Sequence, residues 1–140
     1  AKRYFTTTVK TIGKAEKMPN LQSTKLTTEG STITSTSAGA SADVVYTVPT
    51  NYSAIVKFLH LSNGTSGAKK ASVQLFDASS SSYKFLVNAL SMSGNTVHDV
   101  VAGNDLALHQ GDKIVAFIEA GMTLDIVVSV QEYYDPARQN

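Results

Sequence analysis

The sequence contains no cysteine and no tryptophan, three prolines, three histidines, and only 16% charged residues in 140 positions. Without thiols there are no disulfides, thiolate metal centres or cysteine nucleophiles, and three imidazoles are little material for any other metal cluster. Neither a metal nor a cofactor is expected. No apolar run approaches the ~18 residues of a membrane-crossing helix. The opening residues Ala1 to Phe5 carry two bases and no apolar stretch, so neither a membrane partner nor an export leader is expected. What is present is an apolar fraction of 42% with a net charge of +1, enough to bury one core and the size of one domain.

Ser and Thr number 16 and 15 and crowd between Thr6 and Ser41, where large apolar side chains are sparse. From Asp43 onward the texture changes to short runs of Val, Ile, Leu, Phe and Tyr broken by Gly, Asn, Ser and Asp, the pattern of successive strands and turns. This divides the chain into an extended basic arm over 1–42, a β-sandwich over 43–132 and a tail over 133–140. Strands are predicted at 44–48, 54–62, 71–77, 83–90, 96–101, 106–108, 113–119 and 122–131. So many short strands suit an all-β antiparallel sandwich of jelly-roll type. Removing the first 25 residues should leave it folded.

The last strand is the clearest: Met122, Leu124, Ile126, Val128 and Val130 alternate with a mostly polar set, one dry face and one wet. Ala120-Gly121 links it to 113–119, and a short glycine link predicts that the two strands are hydrogen-bonded hairpin partners. Asn63 to Gly67 and Ser79 to Ser82 are predicted as solvent-facing loop tips. Other strands carry apolar residues of both parities. If Ala71, Val73 and Leu75 face the core, Phe76 points outward; if Tyr83, Phe85 and Val87 do, Leu86 and Leu90 point outward. Either a bulge returns these residues to the core, or Phe76, Leu86, Leu90 and Phe117 form a contact between copies of the chain.

Charge is divided as well. Lys2, Arg3, Lys10, Lys14, Lys17 and Lys25 stand against Glu16 alone in the first 25 residues, net +5, while the remainder holds six bases and ten acids, net −4. Such an arm is read either as docking on an acidic partner surface, including the body of a neighbouring copy, or as a solvated tail. The bases are too spread, and too far from any binding motif, for a nucleic-acid partner.

Nothing in the spacing marks a catalytic site. His60, His98 and His109 lie in or beside separate strands. Asp99, Asp105, Asp112 and Asp125 are read mostly as turn residues that bond nearby backbone amides. No nucleophile elbow and no phosphate-cradling glycine loop before a helix occurs, and no enzyme is expected. Asn51-Tyr52-Ser53 and Asn63-Gly64-Thr65 match a glycosylation triplet, the second better read as turn chemistry. Tyr133-Tyr134 is the only adjacent tyrosine pair, either a ligand platform for a carbohydrate-binding module or an anchor.

The stretch Tyr46-Thr47-Val48-Pro49, then Ala54-Ile55-Val56-Lys57, Leu59-His60-Leu61-Ser62-Asn63, and later Leu108-His109-Gln110-Gly111-Asp112-Lys113-Ile114 resembles the sandwich modules of small virion structural proteins of tailed bacteriophages, cyanophages among them. The resemblance spans about 43–132 and concerns fold-making residues. It implies a capsid decoration or cement protein that binds the major capsid protein or other virion proteins as an oligomer, with a trimer as its particular expectation. A tail or baseplate accessory is the alternative within that resemblance. It implies location in the virion after assembly in the host bacterial cytoplasm, and it brings no catalytic residues.

Overall fold

The computed structural model describes residues 25–136. Eight strands run through them: β1 (Lys25–Ile33), β2 (Asp43–Thr47), β3 (Tyr52–Asn63), β4 (Lys69–Asp77), β5 (Ser82–Met92), β6 (Val97–Leu108), β7 (Lys113–Ile118) and β8 (Leu124–Tyr134). They form two four-stranded sheets, sheet A in the order β1-β8-β3-β6 and sheet B in the order β2-β7-β4-β5. Every paired neighbour is antiparallel. Only β4 and β5 are both consecutive and adjacent, so every other link between these strands crosses from one sheet to the other. That is jelly-roll connectivity, and the expected all-β antiparallel sandwich is the fold.

The alternation read from the sequence explains the closure. Leu124, Ile126, Val128 and Val130 of β8, with Val56, Leu59 and Leu61 of β3, form the dry face of sheet A; Ile114, Ala116 and Ile118 of β7, with Ala71 and Val73 of β4, form that of sheet B. The two faces bury each other completely or nearly so. Full burial of one such aliphatic side chain is worth roughly 1.5–3 kcal/mol.

The predicted β7–β8 hairpin is not formed. Gly121 takes a positive φ of 86° in a turn closed by Met122 N–H donating to Glu119 O at 3.2 Å, but the chain then leaves sheet B and begins sheet A. Two strands joined in one sheet would lie side by side; placed in opposing sheets, their dry faces pack against each other. Met122 plugs the sandwich end between them.

The predicted boundary at residue 42 also moves. Residues 25–33, expected in the arm, form β1 and pair with β8 along their whole length, from Lys25 opposite Glu132 to Ile33 opposite Leu124. Ile33 is the single buried residue of this strand; Leu26 is 75% exposed. An edge strand held by the backbone ladder needs little apolar content, which is why composition alone assigned it to the arm. The predicted strands at 96–101 and 106–108 are one strand, β6, irregular in its pairing with β3. Gly103, at φ +87°, accommodates the irregularity where a turn was expected. At the other end, Tyr133 and Tyr134, expected in the tail, belong to β8.

Of the two predicted tips, 79–81 is exposed, but Asn63 is buried at 1%. Its Oδ1 accepts from Thr65 N at 2.9 Å, and its Nδ2 donates to Met92 O at 3.2 Å and Ser93 O at 3.1 Å. It thereby ties the β3–β4 connection to the β5–β6 connection. Gly94 lies where a Cβ would come within 2.1 Å of Ser66 O, so only glycine fits beside that backbone. Asn63→Ala should cost about 1–3 kcal/mol by leaving buried backbone groups unpaired, and Gly94→Ala should also destabilise, both read from urea unfolding. A chain beginning at Lys25 should melt cooperatively, whereas one beginning at Thr34 should melt at lower temperature because the β8 edge loses its partner.

Candidate functional site

The outer face of sheet B carries an aromatic surface. Phe76 on β4 and Phe117 on β7 point outward, as expected, and neighbours from β5 extend them. Phe85 packs edge-on to Phe117 with ring centroids 6.3 Å apart, and Tyr83 tilts against Phe76 at 4.8 Å. The Lys113 ammonium lies 5.4 Å from the Phe76 centroid. Val44 lies opposite Val115 on the other edge of the sheet, separated from Phe85 by the buried Val115 and Gln74. Val44 is 51% and Phe85 47% exposed. Leu86 and Leu90, expected on this face, instead pack against the core. The β4–β5 register shifts between Ala71, Val73 and Gln74, and Ala89 takes a φ of +53° with its N–H donating to Ser72 Oγ at 2.8 Å. Leu86 faces the core by plain alternation with the outward Tyr83 and Phe85, and the two shifts, one extra β5 residue before Val87 and one before Leu90, bring Val87 and Leu90 to the same inner side.

The connection between β1 and β2 lies across the same sheet. Gly39 N–H donates to Gln74 Oε1 at 2.9 Å, and Ile118 N–H to Ser35 O at 2.9 Å. Asp43 holds the start of the crossing: its Oδ2 accepts from Thr34 N at 2.6 Å and Ser35 N at 3.0 Å. The Thr34 amide, then the Ser35 amide, keeps the Asp43 carboxyl below the usual carboxylate range.

Of the six arm bases, Lys2, Arg3, Lys10, Lys14 and Lys17 lie outside the described residues. Lys25 docks on its own chain, its Nζ 3.3 Å from Glu132 Oε1 and 5.8 Å from the Tyr52 ring centroid. Glu132 is only 3% exposed and also accepts a short hydrogen bond from Tyr46 Oη. Burial first, and the bond to Glu132 second, push the Tyr46 phenol far above its ordinary range, so it stays a donor. The contact joins β2 of one sheet to β8 of the other.

The imidazoles are dispersed. His60 Nδ1 sits 2.6 Å from Asp99 Oδ1 across the β3–β6 ladder, with Phe58 stacked on its ring at 5.4 Å. His98 is on β6, and His109 follows it. Among the described residues no group of three or more His, Asp or Glu could hold a metal ion. Asp112 behaves as a turn residue, accepting from Ala78 N at 3.0 Å and His109 N at 2.9 Å. Asp99, Asp105 and Asp125 do not; they meet the side chains of His60, Lys57 at 3.1 Å and Thr32 at 2.6 Å, because all three lie within strands. Asn63, buried as described, is spent on its own turn rather than presented as a glycosylation acceptor. Tyr134 packs edge-on to Tyr52 at 5.6 Å, while Tyr133 lines a shallow cleft with Ser53, Ile55 and His109. The adjacent pair is thus divided. The cleft escaped sequence reading because its lining comes from three segments brought together only by sheet pairing.

No family model matches the chain, and no curated protein does. Among solved structures it is similar to the globular domain of a zebrafish complement 1qA protein, with 18% identity and a TM-score of 0.35, covering 74% of this chain and 94% of that one. The fold class rests on the strand order itself.

Two predictions follow from the polar contacts. Tyr46→Phe removes a donor from a buried carboxylate and should cost about 1–3 kcal/mol in denaturant unfolding. Asp43→Asn should lower stability at neutral pH. A carboxyl whose folded pKa is depressed stabilises above its unfolded pKa and loses that contribution as pH falls through the folded pKa. Thermal melts of the two proteins should therefore converge in acid.

Proposed function

We propose that the chain is a non-enzymatic structural subunit of a phage virion, a capsid decoration protein that self-associates through the outer face of sheet B and binds the shell as an oligomer. The observation that carries the assembly role is the aromatic surface of Phe76, Tyr83, Phe85 and Phe117, with Phe85 47% exposed. A contiguous apolar face on a small domain is the mark of an interaction site. Aromatic side chains dominate the energetics of such contacts.

The virion part of the reading rests on the resemblance carried by Tyr46, Val48, Asn63, Leu108, Gly111 and Asp112. These residues have structural work here. Tyr46 bonds Glu132, Val48 donates its N–H to Asp112 O and accepts at its carbonyl from Gly111 N–H, and Asn63 ties two connections together. A motif of that kind specifies a scaffold, and the docking surface is built on the scaffold's outside.

The test adds purified protein to phage particles that lack it and measures occupancy, with light scattering on the free protein. Wild type should self-associate and bind heads; binding confined to tails would assign the tail-accessory role instead. Phe85→Asp, a change at an exposed position, should reduce self-association by tenfold or more, about 1.4 kcal/mol, with an unchanged melt of the monomer. A wild type that is monomeric both free and on particles would overturn the assembly role.

A further inference from the structure

The outer face of sheet A holds a slot whose chemistry differs from the aromatic face of sheet B. Tyr133 on β8 stands opposite Ser53 on β3. Ser53 is one position beyond the Ala54–Leu108 pair of the β3–β6 ladder, which places His109 on its other side. The row Tyr133, Ser53, His109 thus spans three adjacent chain segments, two ring-bearing residues flanking a small hydroxyl. Two strand spacings separate the outer segments by roughly 9–10 Å. Van der Waals contact needs about 3.5–4.0 Å on each side, so a single six-membered ring can touch both walls. Ile55 and Ala107, paired in the next row of the ladder, close one end of the slot. Asp135 lines the rim, with its Oδ2 3.5 Å from Ser53 Oγ. The cleft measures about 220 Å³, below the roughly 300–1,000 Å³ of sites for drug-sized ligands.

We propose that this slot binds one pyranose ring, the end sugar of a glycan. The apolar C–H face of a pyranose suits the ring of Tyr133. Its hydroxyls both donate and accept, which matches a carboxylate, a hydroxyl and an imidazole arranged around one floor. The proposal is independent of the virion reading, because it uses the opposite sheet and none of the aromatic residues assigned to docking.

The test is amide NMR of the full chain titrated with the neutral sugars glucose, galactose, mannose, N-acetylglucosamine and rhamnose. At least one neutral sugar should shift the amides of Ser53, Ala107, His109 and Tyr133 saturably, with a dissociation constant on the order of 1 mM. Tyr133→Ala should weaken that binding about tenfold or more, a change of ~1.4 kcal/mol. Ala107→Trp, at an exposed position, should fill the slot and abolish binding even if Tyr133→Ala perturbs folding. Tyr134→Ala, on the other side of the strand, should bind like wild type. The proposal is overturned if none of the neutral sugars gives saturable shifts at these amides. It is equally overturned if Ala107→Trp, with a native-like spectrum, binds as wild type does.

Discussion

Mutual burial of the inner faces of β7 and β8 governs the rest of this molecule. Ile114, Ala116 and Ile118 on one strand and Leu124, Ile126, Val128 and Val130 on the other are separated by a short turn, and both rows are removed from water. A hairpin would have set them side by side and left both to find cover elsewhere. By crossing the gap at Gly121 and Met122, the chain makes each row the cover of the other. The same solution recurs at every described connection except β4–β5. The sandwich is closed by crossings, and the ends of the sandwich become the places where backbone must be satisfied without a ladder.

Those ends are held by buried polar side chains. Asn63 serves two connections at once. Asp112 joins the turn after β6 to the turn after β4. Glu132 accepts from Tyr46 across the sheets and from Lys25 on the neighbouring edge strand. A buried carboxylate is tolerable only with such partners, so β1 is fastened at its beginning by an ion pair and at its end by Ile33. These contacts connect the edge strand, the crossings and the core into one cooperative unit.

The outer faces are thereby left to vary. Sheet B presents aromatic rings around a crossing loop fixed by Asp43 and Gln74. Sheet A presents cross-strand polar pairs, His60 with Asp99 and Lys57 with Asp105, and at one end the slot beside Tyr133. The proposed assembly role and the proposed sugar site use opposite sides of the same scaffold, so each can operate without altering the residues that close the core.

The fold class was legible because alternation of apolar and polar residues depends only on the local pleat. Met122 to Gln131 showed it without any partner being known. Phe76 and Phe117 were legible as outward residues for the same reason. Leu86 and Leu90 were not, because Tyr83 and Phe85 turn out to face outward and because two register shifts against β4, one of them held by the Ala89 amide on Ser72, set which β5 residues face inward. The edge strand β1 was not legible either, since its stability comes from backbone pairing to β8 rather than from its own side chains. The slot needed Tyr133, Ser53 and His109 to meet from distant parts of the chain. By itself, then, the sequence determined that strands form and which face of the regular ones is dry, because those are properties of neighbours in the chain. Which strands pair, which turns cross and which outer residues converge was decided only by tertiary structure, because those depend on where each dry face finds another to cover it.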